Sequence, residues 1–122
     1  MSRNPSMVQK FRILGAQETL KGYLHVEETS DGQVKAITIV IYKLGTLAQA
    51  MANSFCASVN IGLSQGIPLK FFVDEFKGWK FEPGGPVEGS PAVQECTSLL
   101  DYVARELEAS YLEKCNCQEV CP

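Results

Sequence analysis

The sequence predicts an α+β fold: a three-stranded antiparallel sheet with two main helices and a short third helix packed on one face. Apolar residues alternate with period two before residue 44 and recur with a period of about 3.6 after it. The 122 residues are the length of one domain. Hydrophobic residues make up 45% and charged residues 20%, so we expect a folded globular chain.

Three segments before residue 44 have the residue pattern of strands. The first runs from Val8 to Leu14, the second from Leu20 to Glu28 and the third from Val34 to Tyr42. The third is rich in β-branched residues, which strands favour. Residues 29–32, Thr-Ser-Asp-Gly, are typical of a tight turn. These features predict an antiparallel hairpin joined by a third strand from the N-terminal segment.

The first main helix is predicted over residues 47–65. Thr46 and Gln49 have the spacing of a capping box at its start. Gly66 is expected to end it, and Pro68 cannot continue it. An apolar stripe recurs every four residues and is expected to face the core. Its members are Leu47, Met51, Phe55, Val59 and Leu63.

The rest of the chain predicts a short helix, a loop and a second main helix. Apolar residues at i, i+3, i+4 and i+7 from Leu69 to Phe76 favour a helix, with a short strand as the competing interpretation. Residues 79–91 hold three prolines and three glycines, which indicates a loop. Ser90-Pro91 predicts the start of the last helix, which reaches about residue 113. Its apolar stripe is Val93, Cys96, Leu100, Val103, Leu107 and Tyr111.

Charge and hydropathy exclude several classes of partner. The net charge is -3, from 11 basic and 14 acidic residues, so binding to nucleic acid or to an anionic membrane is not driven by overall charge. The apolar runs are shorter than the ~20 residues of a membrane span, and the N-terminus leads into no apolar signal segment. We expect a cytoplasmic protein with no nucleic-acid or membrane partner. A homo-oligomer stays open.

The five cysteines fall into two groups. Cys56 and Cys96 lie in apolar-patterned segments, whereas Cys115, Cys117 and Cys121 lie in the last eight residues. Without a secretory signal, we expect reduced thiols. The tail leaves three interpretations open: a thiol–disulfide relay, a zinc site formed by the three thiolates with a fourth ligand, and incidental cysteines.

Few other residues suggest catalysis. His25 is the only histidine, and it is expected on a half-exposed strand face. A Cys56–His25 pair is the reactive alternative to two structural residues. Asp74 and Glu75 are adjacent on a predicted helix and point about 100° apart, which favours surface charge over acid–base chemistry.

Two longer motifs resemble a known family. FEPGGPVEG at 81–89, followed by TSLLDYVAREL at 97–107, resembles the TSCPD domain, the C-terminal region of adenosylcobalamin-dependent (class II) ribonucleotide reductases. KLGT at 43–46 and GIPL at 66–69 resemble it in the same order, so the similarity covers roughly residues 10–112. The literal Thr-Ser-Cys-Pro-Asp string is absent, since residues 96–101 are Cys-Thr-Ser-Leu-Leu-Asp.

The resemblance implies a domain and a role. It implies a TSCPD-like α+β domain at 10–113, which we expect to lie between a flexible segment at 1–9 and a cysteine-rich tail at 114–122. The family motif residues carried over are Phe81, Glu82, Pro83, Gly85, Thr97, Ser98, Asp101 and Arg105. The implied role is a non-catalytic accessory domain of, or partner to, the catalytic subunit or domain of a vitamin B12-dependent ribonucleoside-diphosphate reductase, in deoxyribonucleotide synthesis for DNA.

In such reductases a large α/β barrel does the catalysis and binds adenosylcobalamin, so the resemblance implies neither catalysis nor this cofactor in the chain alone. It also implies that C-terminal cysteines re-reduce the active-site disulfide or bind zinc. Cys115, Cys117 and Cys121 are the candidates here. Two alternative functions stay open: an independent small-molecule or nucleotide-binding module of the same fold, and a small thiol-redox protein.

Overall fold

The computed structural model of the chain describes residues 6–112. Five strands and three α-helices follow one another along it, and a π-helical segment, Glu108–Leu112, continues the last helix. They are β1 (Ser6–Leu14), β2 (Thr19–Glu28), β3 (Val34–Tyr42), α1 (Thr46–Ser64), α2 (Leu69–Phe76), β4 (Gly85–Glu88), β5 (Glu95–Cys96) and α3 (Leu99–Leu107). The α+β class is confirmed. The proposed boundaries at residues 10 and 113 stay predictions.

The sheet has five strands in the order β3-β2-β1-β4-β5, so the prediction of three strands is wrong. Its antiparallel pairing is confirmed. The two missed strands lie in or just after the segment predicted as a loop. β4 pairs with β1 at only two positions, and β5 pairs with β4 at only two. Pairings this short leave no period-two pattern that a sequence could display.

The predicted β2–β3 hairpin is confirmed, and its turn forms as expected. Gly32 has a φ of 85°, a conformation that glycine adopts without steric cost. The backbone N–H of Thr29 donates to the carbonyl of Gln33 at 2.8 Å and closes the turn. The register places Leu24 opposite Ile39, so one face of both strands is buried.

The end of α1 follows the prediction, but its start does not. The backbone N–H groups of Gly66 and Ile67 donate to the carbonyls of Leu63 and Gly62, a Schellman motif with Gly66 at a φ of 91°. At the start, the N-cap is Gly45 and no side chain caps the helix. The predicted Thr46–Gln49 capping box is therefore wrong, because the Gln49 amide bonds strand β3 instead.

The last helix begins eight residues later than predicted. Ser98, not Ser90, is the N-cap of α3, and its hydroxyl accepts a hydrogen bond from the backbone N–H of Asp101 at 3.1 Å. Ser90 imitates a cap locally, since its hydroxyl accepts from the N–H of Val93 at 3.1 Å, but no helix follows. Val93 and Cys96 are buried as expected, although neither is helical.

One core joins the sheet to the helices. The short helix α2 is confirmed over its strand alternative. The buried sheet face and the buried helix residues form a single cluster, whose largest members include Phe11, Ile13, Leu24, Ile37, Val59, Val73 and Tyr102. Phe11 and Tyr102 have ring centroids 4.4 Å apart. The other sheet face is more open and carries Val8, Lys10 and Arg12 of β1. No helix among the described residues has both the length and the apolarity to cross a membrane.

The apolar stripe of α1 is not the core face that the sequence predicted. Leu47 is 74% exposed and Met51 63% exposed. Val59 is buried, but the other buried residues of the helix are Ala52, Cys56 and Gly62, which lie off the stripe. The prediction is wrong for the first half of the helix, because a different face of α1 contacts the sheet.

A polar face of α1 bonds the outer edge of β3. The Asn60 side chain accepts from the N–H of Ile37 at 2.8 Å and donates to its carbonyl at 3.0 Å. The Gln49 side chain accepts from the N–H of Ile41 and donates to the carbonyl of Ile39, both at 2.9 Å. An edge strand normally leaves such groups unpaired. Here the helix side chains pair them as another strand would.

Candidate functional site

A groove of about 700 Å³ lies at the end of the sheet where α1 begins. One wall is the exposed stripe of α1, formed by Leu47, Met51 and Phe55. The opposite wall is aromatic and consists of Phe76, Trp79 and Phe81. Leu20 of β2, Ile41 at the end of β3 and Leu44 also line it. We call this cavity the groove.

The aromatic wall is packed ring against ring. Phe55 and Phe76 meet edge to face at 4.9 Å between centroids, so the two walls touch at the base of the groove. Phe76 and Trp79 have centroids 5.0 Å apart. Trp79 remains 44% exposed and Phe81 43% exposed. The wall is therefore ordered by aromatic contacts but keeps large apolar surfaces in solvent.

Asp101 fixes the backbone behind the aromatic wall. Its carboxylate accepts from the N–H of Gly78 at 2.6 Å and from the N–H of Thr97 at 2.8 Å. Arg105 Nε donates to both carboxylate oxygens, at 3.0 and 2.9 Å. The side chain is fully buried. Burial raises the pKa of Asp101, but the two backbone N–H groups and Arg105 outweigh it and hold the pKa below its ordinary range.

The two hydroxyls before α3 fix the same wall. Thr97 Oγ1 donates to the carbonyl of Trp79 at 2.6 Å, and Ser98 Oγ donates to that carbonyl at 2.7 Å. The N–H of Phe81 in turn donates to the carbonyl of Thr97 at 3.1 Å. We call the bonds made by Thr97, Ser98, Asp101 and Arg105 the Asp101 network. It attaches Gly78–Phe81 to the start of α3.

Close contacts at Gly84 and Gly15 bring neighbouring segments of the chain together beside the groove. A Cβ on Gly84 would lie 2.6 Å from the carbonyl oxygen of Thr97, so only glycine fits this approach. A Cβ on Gly15 would lie 2.6 Å from the Cβ of Pro83, which is buried. The β1–β2 turn therefore packs on Pro83. This contact brings Glu18 and Glu82 to one end of the groove, where both line it.

The motif residues carried over from the family resemblance thus fall into two sets. Phe81, Glu82 and Pro83 line the groove. The Asp101 network behind its wall is formed by Thr97, Ser98, Asp101 and Arg105. Gly85 belongs to neither set; it is the first residue of β4 and has a φ of 149°. The hydrogen bonds of Thr97, Ser98 and Asp101 attach the backbone of residues 78–81 to the start of α3.

A second buried carboxylate lies away from the groove. Glu106 accepts from Ser90 Oγ at 2.7 Å and from the hydroxyl of Tyr102 at 3.0 Å. Burial and this carboxylate raise the pKa of Tyr102 well above its ordinary value. These bonds attach the 90–93 turn to α3 and leave the phenol protonated at neutral pH.

The described cysteines are inert thiols. Burial raises the pKa of Cys56 to about 11, although a hydrogen bond from the backbone of Ile39 lowers it in part. Burial likewise raises the pKa of Cys96. His25 lies on the opposite sheet face from the core that contains Cys56, so the Cys56–His25 pair is wrong. The tail cysteines, Cys115, Cys117 and Cys121, lie outside the described residues.

The chemistry that this arrangement supports is binding. Within residues 6–112 no cluster of His, Cys, Asp and Glu side chains could hold a metal ion. Asp74 pairs with Lys70 at 2.6 Å on the surface, as its helix position predicts. The groove offers apolar side chains and two acids, and it contains neither of the described thiols.

The sequence interpretation missed the groove because it assigned Leu47 and Met51 to the core. A signal was present. Gln49, Asn53, Cys56 and Asn60 recur at i, i+4, i+7 and i+11, which places them on one helix face. Side-chain amides at this spacing can bond a strand edge, and that alternative would have turned the apolar stripe outward.

Comparison with known proteins gives a consistent family match. The family model of the TSCPD domain matches residues 6–111. The chain is similar to the "Vitamin B12-dependent ribonucleotide reductase" of Agrobacterium fabrum, at 45% identity over 92 residues, which is 75% of this chain and 7% of that protein. The protein of the same name from Bradyrhizobium diazoefficiens is 40% identical over 102 residues, or 84% of this chain and 8% of that protein.

A more distant relative adds to this match. The same name belongs to a Streptomyces avermitilis protein that is 29% identical over 108 residues, 88% of this chain and 11% of that protein. The chain therefore spans about a tenth or less of these three relatives. No solved structure matches the chain significantly.

Proposed function

This chain belongs to the TSCPD domain family, and we propose that it is a non-catalytic accessory domain of, or partner to, a vitamin B12-dependent ribonucleoside-diphosphate reductase. Its role would then lie in deoxyribonucleotide synthesis for DNA. The single observation that carries this proposal is the extent of the match. Residues 6–111 match the family model, and the matched region is only 7% and 8% of the two reductases with the highest identity reported above.

The groups in the described residues support a binding role over catalysis. The fully buried Asp101 is engaged by backbone N–H groups and Arg105, and the described thiols are buried and protonated at neutral pH. We therefore expect the purified chain to form no deoxyribonucleotide from any ribonucleotide, with or without adenosylcobalamin.

Adenosylcobalamin is assigned to the associated reductase and not to this chain. The groove has the volume of a site for a drug-sized molecule, whereas a corrin with its nucleotide and adenosyl groups is far larger. His25, the only imidazole of the chain, lies on the sheet face opposite the core. The described residues do not fit this cofactor.

Co-purification from the source cell tests the proposed function. An affinity-tagged chain is expected to retain a vitamin B12-dependent reductase through washing, and mass spectrometry identifies it. A matched tagged domain of similar size and charge controls for adhesion. A reductase absent from the eluate, at expression levels where it is detectable in the lysate, would contradict the proposal. The relatives give no support to an independent nucleotide-binding module or a free thiol-redox protein.

For the tail, two predictions from the family resemblance compete. A relay requires exposed thiolates at Cys115, Cys117 and Cys121, which iodoacetamide would label in the native protein while Cys56 and Cys96 stay unlabelled. A zinc site requires one equivalent of zinc and tail thiols protected until a chelator is added. Elemental analysis with alkylation mapping separates the two. We expect labelling of the tail. A cytoplasmic location of the protein, which we also propose, would keep its thiols reduced.

A further inference from the structure

The groove gathers several of the exposed large apolar side chains into one cavity. Leu47, Met51, Trp79 and Phe81 are between 43% and 74% exposed, and all four line one cavity. Exposed apolar residues elsewhere do not line the groove; Ile61, at 65%, is one example. Scattered exposed residues need no explanation, whereas a contiguous patch marks a binding surface.

The charges of the groove have one sign. Glu18 and Glu82 line it, and within residues 6–112 no Lys, Arg or His side chain does so. The packing of the β1–β2 turn on Pro83 brings both acids to the same end. An occupant that matches this pattern has an apolar body and a positive charge at one end.

The aromatic wall is held in place before anything binds. The carbonyl of Trp79 accepts two hydroxyl hydrogen bonds, and Asp101 bonds the N–H of Gly78 beside it. A wall fixed in this way loses little conformational entropy on binding. The cost of ordering the site is thus met by folding, as in pre-organised binding sites.

We propose that the groove binds a peptide segment with large apolar side chains and an adjacent Lys or Arg, which pairs with Glu18 and Glu82. The identification of that segment as part of the reductase polypeptide rests on the proposed function. The Agrobacterium fabrum and Bradyrhizobium diazoefficiens reductases are matched over only 7% and 8% of their length, so most of their surface lies outside this domain. A peptide fits better than a small molecule, because a small-molecule site encloses most of its ligand, whereas both walls here are exposed along their rims.

The first experiment compares two variants of the same helix. Met51→Asp places a carboxylate in the groove, and Ile61→Asp makes the same change at a 65% exposed position outside it. Binding of the full-length reductase is measured by titration calorimetry, with circular dichroism to confirm that both variants fold. We expect Met51→Asp to weaken binding at least about tenfold, because it puts a charge into an apolar interface, and Ile61→Asp to change it less than about twofold.

The second experiment tests the acids. Glu18→Lys with Glu82→Lys is compared with Glu75→Lys, an exposed acid of α2 outside the groove. The double variant is expected to weaken binding and to reverse the sign of its salt dependence, because attraction becomes repulsion, while Glu75→Lys leaves both unchanged. Trp79 is the only tryptophan and lines the groove, so a blue shift of its fluorescence reports occupancy directly.

Each outcome decides between the two proposals. Reductase binding that survives Met51→Asp unchanged overturns the groove assignment and leaves the proposed function standing. A wild-type chain that binds no reductase overturns both the proposed function and the assignment of the peptide. If sedimentation instead finds a dimer that Met51→Asp dissociates, the occupant is a second copy of this chain and the proposal is wrong.

Discussion

The polar face of α1 and the first half of its apolar stripe do not have the roles that their composition predicts. The polar face, with Gln49 and Asn60, lies against β3 and makes four hydrogen bonds to its backbone. The apolar face, with Leu47 and Met51, lies in the groove and is mostly exposed. The polar side chains find hydrogen-bond partners within the domain, whereas Leu47 and Met51 of the apolar face remain largely exposed to solvent. One face of this helix therefore stabilises the fold, and the other supplies the apolar surface to which the proposed peptide would bind.

The difference also shows why amphipathicity alone misplaces the helix. The apolar residues of a helix usually face the core because burying them is favourable. An exposed strand edge competes for the same helix, since its unpaired N–H and C=O groups cost free energy wherever water is excluded. Here the side-chain amides of Gln49 and Asn60 pair with the edge.

The largest expected effect on the free energy of unfolding comes from comparing two neighbouring residues of α1, one buried and one exposed. Ala52→Asp buries a carboxylate without a cationic partner at a position that is 4% exposed, and we expect it to cost about 4 kcal/mol or more, or to prevent folding. Met51→Asp, one residue earlier, should change the free energy of unfolding by less than about 0.5 kcal/mol. Urea denaturation measures both. Similar losses for the two would mean that the helix is rotated.

The second effect tests the bonded edge. Asn60→Ala removes both hydrogen bonds to Ile37 and leaves its backbone N–H and C=O without these partners. We expect a loss of about 2–3 kcal/mol in the free energy of unfolding. Asn53→Ala is the control, because within residues 6–112 the Asn53 side chain bonds the Gln49 side chain and no strand backbone, and it should cost less than about 1 kcal/mol. A loss for Asn60→Ala as small as that of the control would show that the edge bonds add no stability.

The third effect is a pH dependence that originates on the buried side of the helix. The pKa of Cys56 is raised to about 11 in the folded protein, above the ordinary value of 9.0. Folding favours the neutral thiol, so its contribution is complete below pH 9 and is lost as the pH rises from 9 to 11. Denaturation of wild type and Cys56→Ala across this range should show a steeper decline for wild type. Parallel curves would place the thiol in solvent.

The smallest effect is expected on the exposed side. Leu47→Ala removes a side chain that is 74% exposed, so we expect a change below about 0.5 kcal/mol in the free energy of unfolding. Val59→Ala, on the same stripe but buried, should cost about 1–3 kcal/mol. The two variants divide the predicted stripe into its outer and inner halves. A loss for Leu47→Ala as large as that for Val59→Ala would contradict the division.

The sequence was sufficient to predict secondary structure where local signals and burial agree. The hairpin from Leu20 to Tyr42 follows from alternation and turn chemistry, and α2 follows from its spacing. It was insufficient where a tertiary contact decides. In the sequence Ser90 resembles a helix cap. In the structure its hydroxyl donates to Glu106 and accepts from the N–H of Val93 in a turn that no helix follows. The two-residue strand pairings of β4 and β5 are likewise visible only in three dimensions.

The candidate site divides in the same way. The family motifs directed attention to residues 81–83 and 97–105; the structure places the first set along the groove and members of the second in the Asp101 network, and their role in binding stays a prediction. Composition could not reveal the opposite wall. Large apolar residues such as Leu47 and Met51 occur both in cores and in docking surfaces, so their type does not separate the two. Only the bonding of Gln49 and Asn60 to β3 separates the two uses.

One measurement tests both the exposure of the apolar face of α1 and the proposed docking on it. Hydrogen peroxide oxidises exposed methionines, and peptide mapping follows Met51 against the partly buried Met7 of β1. In the free chain we expect Met51 to oxidise faster than Met7, and with a saturating amount of the full-length reductase we expect its oxidation to slow markedly. Slow oxidation of Met51 in the free chain would contradict the orientation of α1, and equally fast oxidation with the reductase would contradict docking in the groove.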